Sequence, residues 1–293
     1  MTAKAQKRRP KKTKEERYLE NLERIKQLRL MDDDFMTKCF EGQIEATELL
    51  VHTILGVTWR VVSVKTQDTI KNLQGKSVRL DIHAISEAGR HVNIEVQRQD
   101  KGAAPRRARY HASILDANTL LSGEEYENLP ETYVIFITEA DFFGLGRPLY
   151  KIERYIEETG RKFNDGQHIV YVNSEIQDET PLGRLMHDFY CTSADDMHYK
   201  VLADRVKHFK ETEEGVSTMS RIWEEIRREG IEEGREEGIK EGREEGIKEG
   251  SQKARKSIAK TLIELGRMSL EEIALASRLS LKTVQRLAKA QAV

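Results

Sequence analysis

Between Ser77 and Asp100 the chain reads SVRLDIHAISEAGRHVNIEVQRQD, and apolar and polar side chains alternate through it twice. Val78, Leu80, Ile82 and Ala84 interleave with Ser77, Arg79, Asp81 and His83; Val92, Ile94 and Val96 interleave with His91, Asn93, Glu95 and Gln97. A period of two specifies strands rather than a helix, and Glu87-Ala88-Gly89 supplies a turn between them. A chain built around such a hairpin must contain a sheet. Because side chains alternate faces along a strand, Asp81, Glu95 and Gln97 fall in the polar set of the two strands. Two carboxylates on adjacent strands, with an amide two residues beyond the second, are oxygen ligands suited to a hard cation such as Mg²⁺. Taken alone, an Asp followed fourteen residues later by Glu-x-Gln is a weak signal, since polar strand faces often hold such residues without a role.

The 293 residues suffice for one full core of about 150–200 residues with appendages. A net charge of −1 means that a nucleic-acid partner must be met by local basic patches rather than by a global field. The two cysteines, Cys39 and Cys191, exclude a disulfide framework and fit a reducing, cytoplasmic compartment. The start of the chain lacks the apolar core of a signal peptide, and no long apolar run predicts a membrane span.

Residues 1–29 read as a basic, flexible arm. The first fourteen carry seven basic side chains and no acid, which suits either phosphate contacts or a solvated tail; a charged helical pattern follows from Tyr18 to Leu30. Asp32, Asp33 and Asp34 are candidate caps for a helix through Phe40, and a helix from Ile44 to Leu55 stops at Gly56. Glu48 lies on that helix, where a solvated face is the commoner use of a glutamate. A strand is expected over residues 57–65 and a polar loop from Gln67 to Lys76. After the hairpin come a helix opened by Pro105 and closed by Gly123, with Arg106, Arg107 and Arg109 in its first turns beside Tyr110, and two buried strands, residues 132–138 and 168–173. This order predicts an α/β domain with a mixed sheet over residues 30–215.

Residues 216–250 carry glycine at every fourth position from Gly230 to Gly250, and with their i,i+4 Glu–Lys pairs they predict a marginal, charged helical connector. Residues 251–293 read as three short helices with helix-turn-helix proportions. Ser269 and Glu272 form a capping box there, and Ser280 opens a last helix that displays Lys282, Arg286 and Lys289. Contact with DNA and self-association both remain open for this tail. His187, Cys191 and His198 are scattered zinc-type ligands without a fourth.

MDDDFMTKCF, SVRLDIHA, VNIEVQRQDKG, RRARYHASILDANTL and SGEEYENLPETYVIFIT occur in that order. Together they make the chain resemble the PD-(D/E)XK nuclease family transposases, the group that includes the recombination-promoting nucleases, from about Met31 to Glu214. The resemblance implies a restriction-endonuclease-like core and a Mg²⁺-dependent DNA endonuclease, with Mn²⁺ as a substitute, linked to recombination or mobile elements. It implies Asp81 and Glu95 as metal ligands, with Gln97 in the place of the family's lysine; from the same strand the Val96 carbonyl is a candidate third oxygen ligand, and Gln97 a candidate to orient the attacking water. Asp33 matches the acid of the N-terminal motif, and Arg109 with Tyr110 matches the helix motif. Lys65, Lys76 and Arg98 are nearby candidates for the charge that Gln97 lacks. The alternative is an inactive DNA-binding or regulatory protein that keeps the fold. DNA is the expected partner, with a homo-oligomer formed through the C-terminal part as a second expectation.

Overall fold

The computed structural model describes residues 13–72, 75–98 and 102–291. It divides into two compact units, Met1–Ile222 and Trp223–Val293. The first unit opens with three helices, α1 (Lys14–Gln27), α2 (Asp33–Phe40) and α3 (Ile44–Leu55). Then come β1 (Val61–Ile70), β2 (Val78–Ser86), β3 (His91–Gln97), α4 (Pro105–Thr119) and β4 (Thr132–Thr138). A short meander of β5 (Leu149–Ile152), β6 (Tyr155–Ile156) and β7 (Arg161–Lys162) leads to β8 (Gln167–Asn173), α5 (Pro181–Tyr190) and α6 (Lys200–Glu211). Helix α7 (Glu213–Leu265), α8 (Leu270–Ser277) and α9 (Leu281–Gln291) complete the described chain.

Six strands form one mixed sheet in the order β1-β2-β3-β4-β8-β5. β1, β2 and β3 are antiparallel neighbours, β3-β4 and β4-β8 are parallel, and β5 returns antiparallel at the far edge. The parallel step from β3 to β4 needs a crossover, and α4 is that crossover. Ala108 and Ala112 of α4 are short enough to lie against Val134, Phe136 and Tyr171. Ile135 and Ile137, on the opposite face of β4 by the two-residue period, are buried as well. Both faces of the sheet's centre are therefore covered, as the unbroken apolar run of residues 132–138 requires. Helices α2, α3, α5 and α6 pack among themselves, and α2 and α3 also contact the β1-β2 edge. This is the α/β architecture of a restriction-endonuclease-like core.

Several expectations shift. α1 is part of the folded unit and not of a flexible arm: Thr13 and Glu16 close a capping box, Asn21 and Ile25 are buried, and the Lys210 ammonium binds the carbonyls of Lys26, Leu28 and Thr192. The basic residues 1–12 lie outside the described residues. β1 starts and ends later than expected, because β2 holds it in register from Val61–Ser86 to Ile70–Val78. Its polar residues are tolerated there because β1 is an edge strand with half-exposed side chains. α4 ends at Thr119, before Gly123. The centre of the hairpin's polar set does not face water: His83, Asn93 and Glu95 are buried, and α4 reaches Asn93 and Glu95 through His111 and Arg107, while Ser77 and Arg79 stay exposed. Gly56 does end α3 in the left-handed region, at φ 73°.

The glycine repeat lies inside one continuous helix, α7, which also contains residues 256–265. In the second unit, Ala259, Ile273, Ala274 and Val284 form a small core lined by Leu262, Leu270, Leu279 and Leu287. The expected capping box of Ser269 and Glu272 opens α8. No described helix is long and apolar enough to cross a membrane.

Candidate functional site

The β2-β3 ladder ends at the Ile82–Ile94 pair, one residue short of Asp81 and Glu95. Beyond that rung the two carboxylates replace the missing backbone bonds. The Val96 N–H donates to Asp81 Oδ2 at 3.1 Å, and the Asp81 N–H donates to Glu95 Oε1 at 3.4 Å. Glu95 is 0% exposed and Asp81 9%. Burial of this kind demands compensation, and α4 delivers it. Arg107 Nη2 meets Glu95 Oε2 at 2.6 Å, and Asn93 Nδ2 donates to Glu95 Oε1 at 3.1 Å. His111 Nε2 accepts from Arg107 Nε at 3.3 Å, and its Nδ1 lies 3.1 Å from Asn93 Nδ2 and 3.5 Å from Glu95 Oε1.

Gln97 sits at the end of β3 with its Oε1 accepting from Arg107 Nη1 at 3.3 Å; the same nitrogen donates to the Gly102 carbonyl at 3.0 Å. A side chain at position 102 would overlap the Gln97 amide. The positive charge that a lysine at position 97 would bring is thus present, but it comes from Arg107, one element later in the chain. Lys76 and Arg98 line the same cleft, whereas Lys65 is not among its lining residues; Arg98 is engaged with Asp32 at 2.8 Å.

The cleft has a volume of about 1010 Å³ and opens over Asp81, Val96 and Gln97. Lys76, Arg79, Arg98, Arg106, Arg107 and Arg109 line it, against Asp33 and Asp81 as its acids. Asp33 accepts from Gln67 Nε2 at 2.8 Å; Gln67 bends into the left-handed region, φ 53°, in the middle of β1, and also reaches Thr37. A non-glycine residue there stores backbone strain, a feature concentrated at functional sites. Tyr110 donates to the Lys76 carbonyl and accepts from Asn72 Nδ2, tying the 72–76 segment to α4. Glu48 is placed elsewhere: its carboxylate accepts from the Val61 N–H at 2.8 Å, and it does not line the cleft.

Burial pushes the Asp81 carboxyl up to about 8, with the negative charges of Glu95 and Asp33 adding to the rise. The Val96 N–H and Arg107 oppose the shift without cancelling it. Two neighbouring acids that repel each other form a donor set of hard oxygens, and a divalent cation relieves that repulsion. The residues present fit such a cation.

Asp81, Val96, Gln97 and Asp33 line one cleft, with Arg109 and Tyr110 on its wall; Glu95 is fully buried behind it, bonded to Arg107 and the Asp81 N–H. The structure adds Arg107, Asn93 and His111 as direct partners of Glu95. The four-residue spacing of Arg107 and His111 on one helix face was the available signal. Lys282, Arg286 and Lys289 belong to the second unit.

A different group of ligand-type residues forms at α5, where His187, Asp188 and Cys191 place donor atoms within 4.8 Å of one another. His187 Nδ1 lies 3.5 Å from Cys191 Sγ, and the His187 and His198 rings are 4.8 Å apart. The two oxygens of Asp188 already accept from the N–H groups of His198 and Tyr199, at 2.8 Å each, just before α6. That carboxylate is used by the backbone.

Comparison with curated proteins and with solved structures finds no match. The family model described as PD-(D/E)XK nuclease family transposase matches residues 48–198. That stretch contains the whole six-stranded sheet, α4, and both carboxylates at the parting of β2 and β3; Asp33 and the second unit lie outside it. The chain therefore belongs to the PD-(D/E)XK nuclease family transposases.

Proposed function

We propose that the cleft hydrolyses phosphodiester bonds of DNA with Mg²⁺ as cofactor, in reactions tied to recombination or mobile elements. The observation that carries this reading is a buried pair of acids, Asp81 lining a cleft with six cationic wall residues and Glu95 directly behind it. Asp81, Glu95 and the Val96 carbonyl would hold the cation, which when bound would activate water and stabilise charge on the phosphate and the leaving oxygen. The chain's own groups do the rest. Arg79, Arg106 and Arg109 bind the phosphate backbone by charge, the sequence-independent part of DNA affinity. Arg107 keeps the Glu95 carboxylate and the Gln97 amide in fixed positions. Gln97 has an amide with which to orient water, but it cannot act as a general base near neutral pH.

One observation favours a second reading, in which the protein binds DNA without cutting it: Arg107 already neutralises Glu95. The two readings separate in one experiment. The wild type and Asp81→Asn are incubated with supercoiled plasmid and Mg²⁺, with EDTA as the blank. The nuclease reading expects nicked or linear product from the wild type alone. Equal product from both proteins, or none from either at DNA concentrations that saturate binding, refutes it.

A further inference from the structure

We propose that the second unit is a helix-turn-helix that docks on duplex DNA through α9, a nucleic-acid site formed by residues other than those of the cleft. Helices α8 and α9 are joined by Arg278-Leu279-Ser280 alone. Arg278 takes the left-handed conformation, φ 55° and ψ 37°, and the Leu279 N–H returns to the Ala274 carbonyl at 3.1 Å, which turns the chain sharply. Ser280 then accepts from the Thr283 N–H at 3.3 Å as α9 begins. Ala274 is buried with Ile273 and Val284, and its small side chain lets the helices approach closely. Two helices joined by a turn of this length, with the second presenting a polar face, form the frame that sets a recognition helix in the major groove.

The apolar side of α9 is committed: Val284 and Leu287 pack into the unit's core. Its other side shows Lys282, Gln285, Arg286 and Lys289, all exposed, and no acidic residue occurs in α9. Cations reach phosphates and guanine edges, and glutamine pairs with adenine edges, so the face has the chemistry of groove recognition. A helix is about 10–12 Å across with its side chains, and the major groove, about 12 Å wide, admits it. Packing the same face against a second copy would set like charges together. The rival surface for self-association is elsewhere, on α8, where Leu275 is 83% exposed.

The test uses the full chain in EDTA, so that binding is read without cutting and independently of the nuclease reading. Fluorescence anisotropy with a labelled duplex measures affinity across a salt series. The triple variant Lys282→Ala/Arg286→Ala/Lys289→Ala should lose at least tenfold in affinity, and its salt slope should fall by about 2–3, near 0.9 for each phosphate contact removed. All three positions are exposed, so circular dichroism should be unchanged. The same fold-loss should appear in an Arg79→Ala/Arg109→Ala background, because the two sets of residues act independently. Wild-type affinity and slope in the triple variant would overturn the proposal. So would a wild type that binds no duplex, or an unchanged affinity with an altered molar mass by light scattering, which would make α9 an association surface.

Discussion

Arg107→Ala is the most informative single change in the first unit. Arg107 binds Glu95 at 2.6 Å, Gln97 at 3.3 Å and the Gly102 carbonyl at 3.0 Å. Removing one partner of a buried ion pair costs about 3–5 kcal/mol. The Arg107 side chain is 36% exposed, and Glu95 keeps Asn93 and the Asp81 N–H, so screening and the remaining bonds bring the expected loss to about 2–3 kcal/mol. For a unit of this size that lowers the melting midpoint by about 4–12 °C. Differential scanning fluorimetry in EDTA reads it directly. A divalent cation at Asp81 and Glu95 would replace the missing charge, so Mg²⁺ should raise the midpoint of Arg107→Ala more than that of the wild type. Arg107→Lys should recover part of the loss, since an ammonium is a point donor and cannot span Glu95 and Gln97 as the guanidinium fork does. A midpoint for Arg107→Ala within about 1 °C of wild type in EDTA would refute the argument that Arg107 compensates a buried charge.

Asp81 should make the metal-free protein pH-sensitive. Its folded pKa of about 8 lies above its ordinary value, so the folded state holds a proton that the unfolded state releases. The Asp81 contribution to stability is therefore present below about pH 4 and lost as pH rises toward 8; urea midpoints in EDTA should show this decline in the wild type minus Asp81→Asn difference, and a flat difference would contradict it. Asp188→Ala should destabilise by about 2–4 kcal/mol by orphaning the His198 and Tyr199 N–H groups, with Asp188→Asn intermediate in a urea titration. Gly242→Ala and Gly246→Ala should each add about 0.5–1 kcal/mol to α7, because a Cβ at either position meets open space, and far-UV circular dichroism during melting would register the gain.

What could be read in advance follows from how local the determinants are. α3 from Ile44 to Leu55, β4 from Thr132 to Thr138, and the Ser269–Glu272 capping box were legible because helix period, apolar run and cap are encoded within a few residues. The start of β1 was not, because its register is set by pairing with β2. The carboxylates were visible as a pair of positions, but the order of neighbours around them was not. Arg107 is twelve residues from Glu95 in sequence and reaches it only because the crossover lays α4 over the sheet. His111 and Asn93 were hidden for the same reason, since a polar residue on a strand or a helix looks solvated until the covering layer is known. The charged glycine repeat was legible as a helical connector despite glycine's low helix propensity, and α7 runs through it without interruption.

The exchange of hydrogen bonds where β2 and β3 part has a bearing on how inactive variants are to be interpreted. Asp81 accepts from the backbone of β3, and Glu95 accepts from the backbone of β2, so each carboxylate is a stitch between the strands as well as a prospective ligand. Truncation to alanine would unpick the seam and leave a buried N–H without an acceptor. A loss of cutting would then report a misfolded seam as readily as a missing cation. Asn and Gln keep an oxygen for the stitch while removing the charge, and they are the substitutions from which chemistry at this seam can be separated from its architecture.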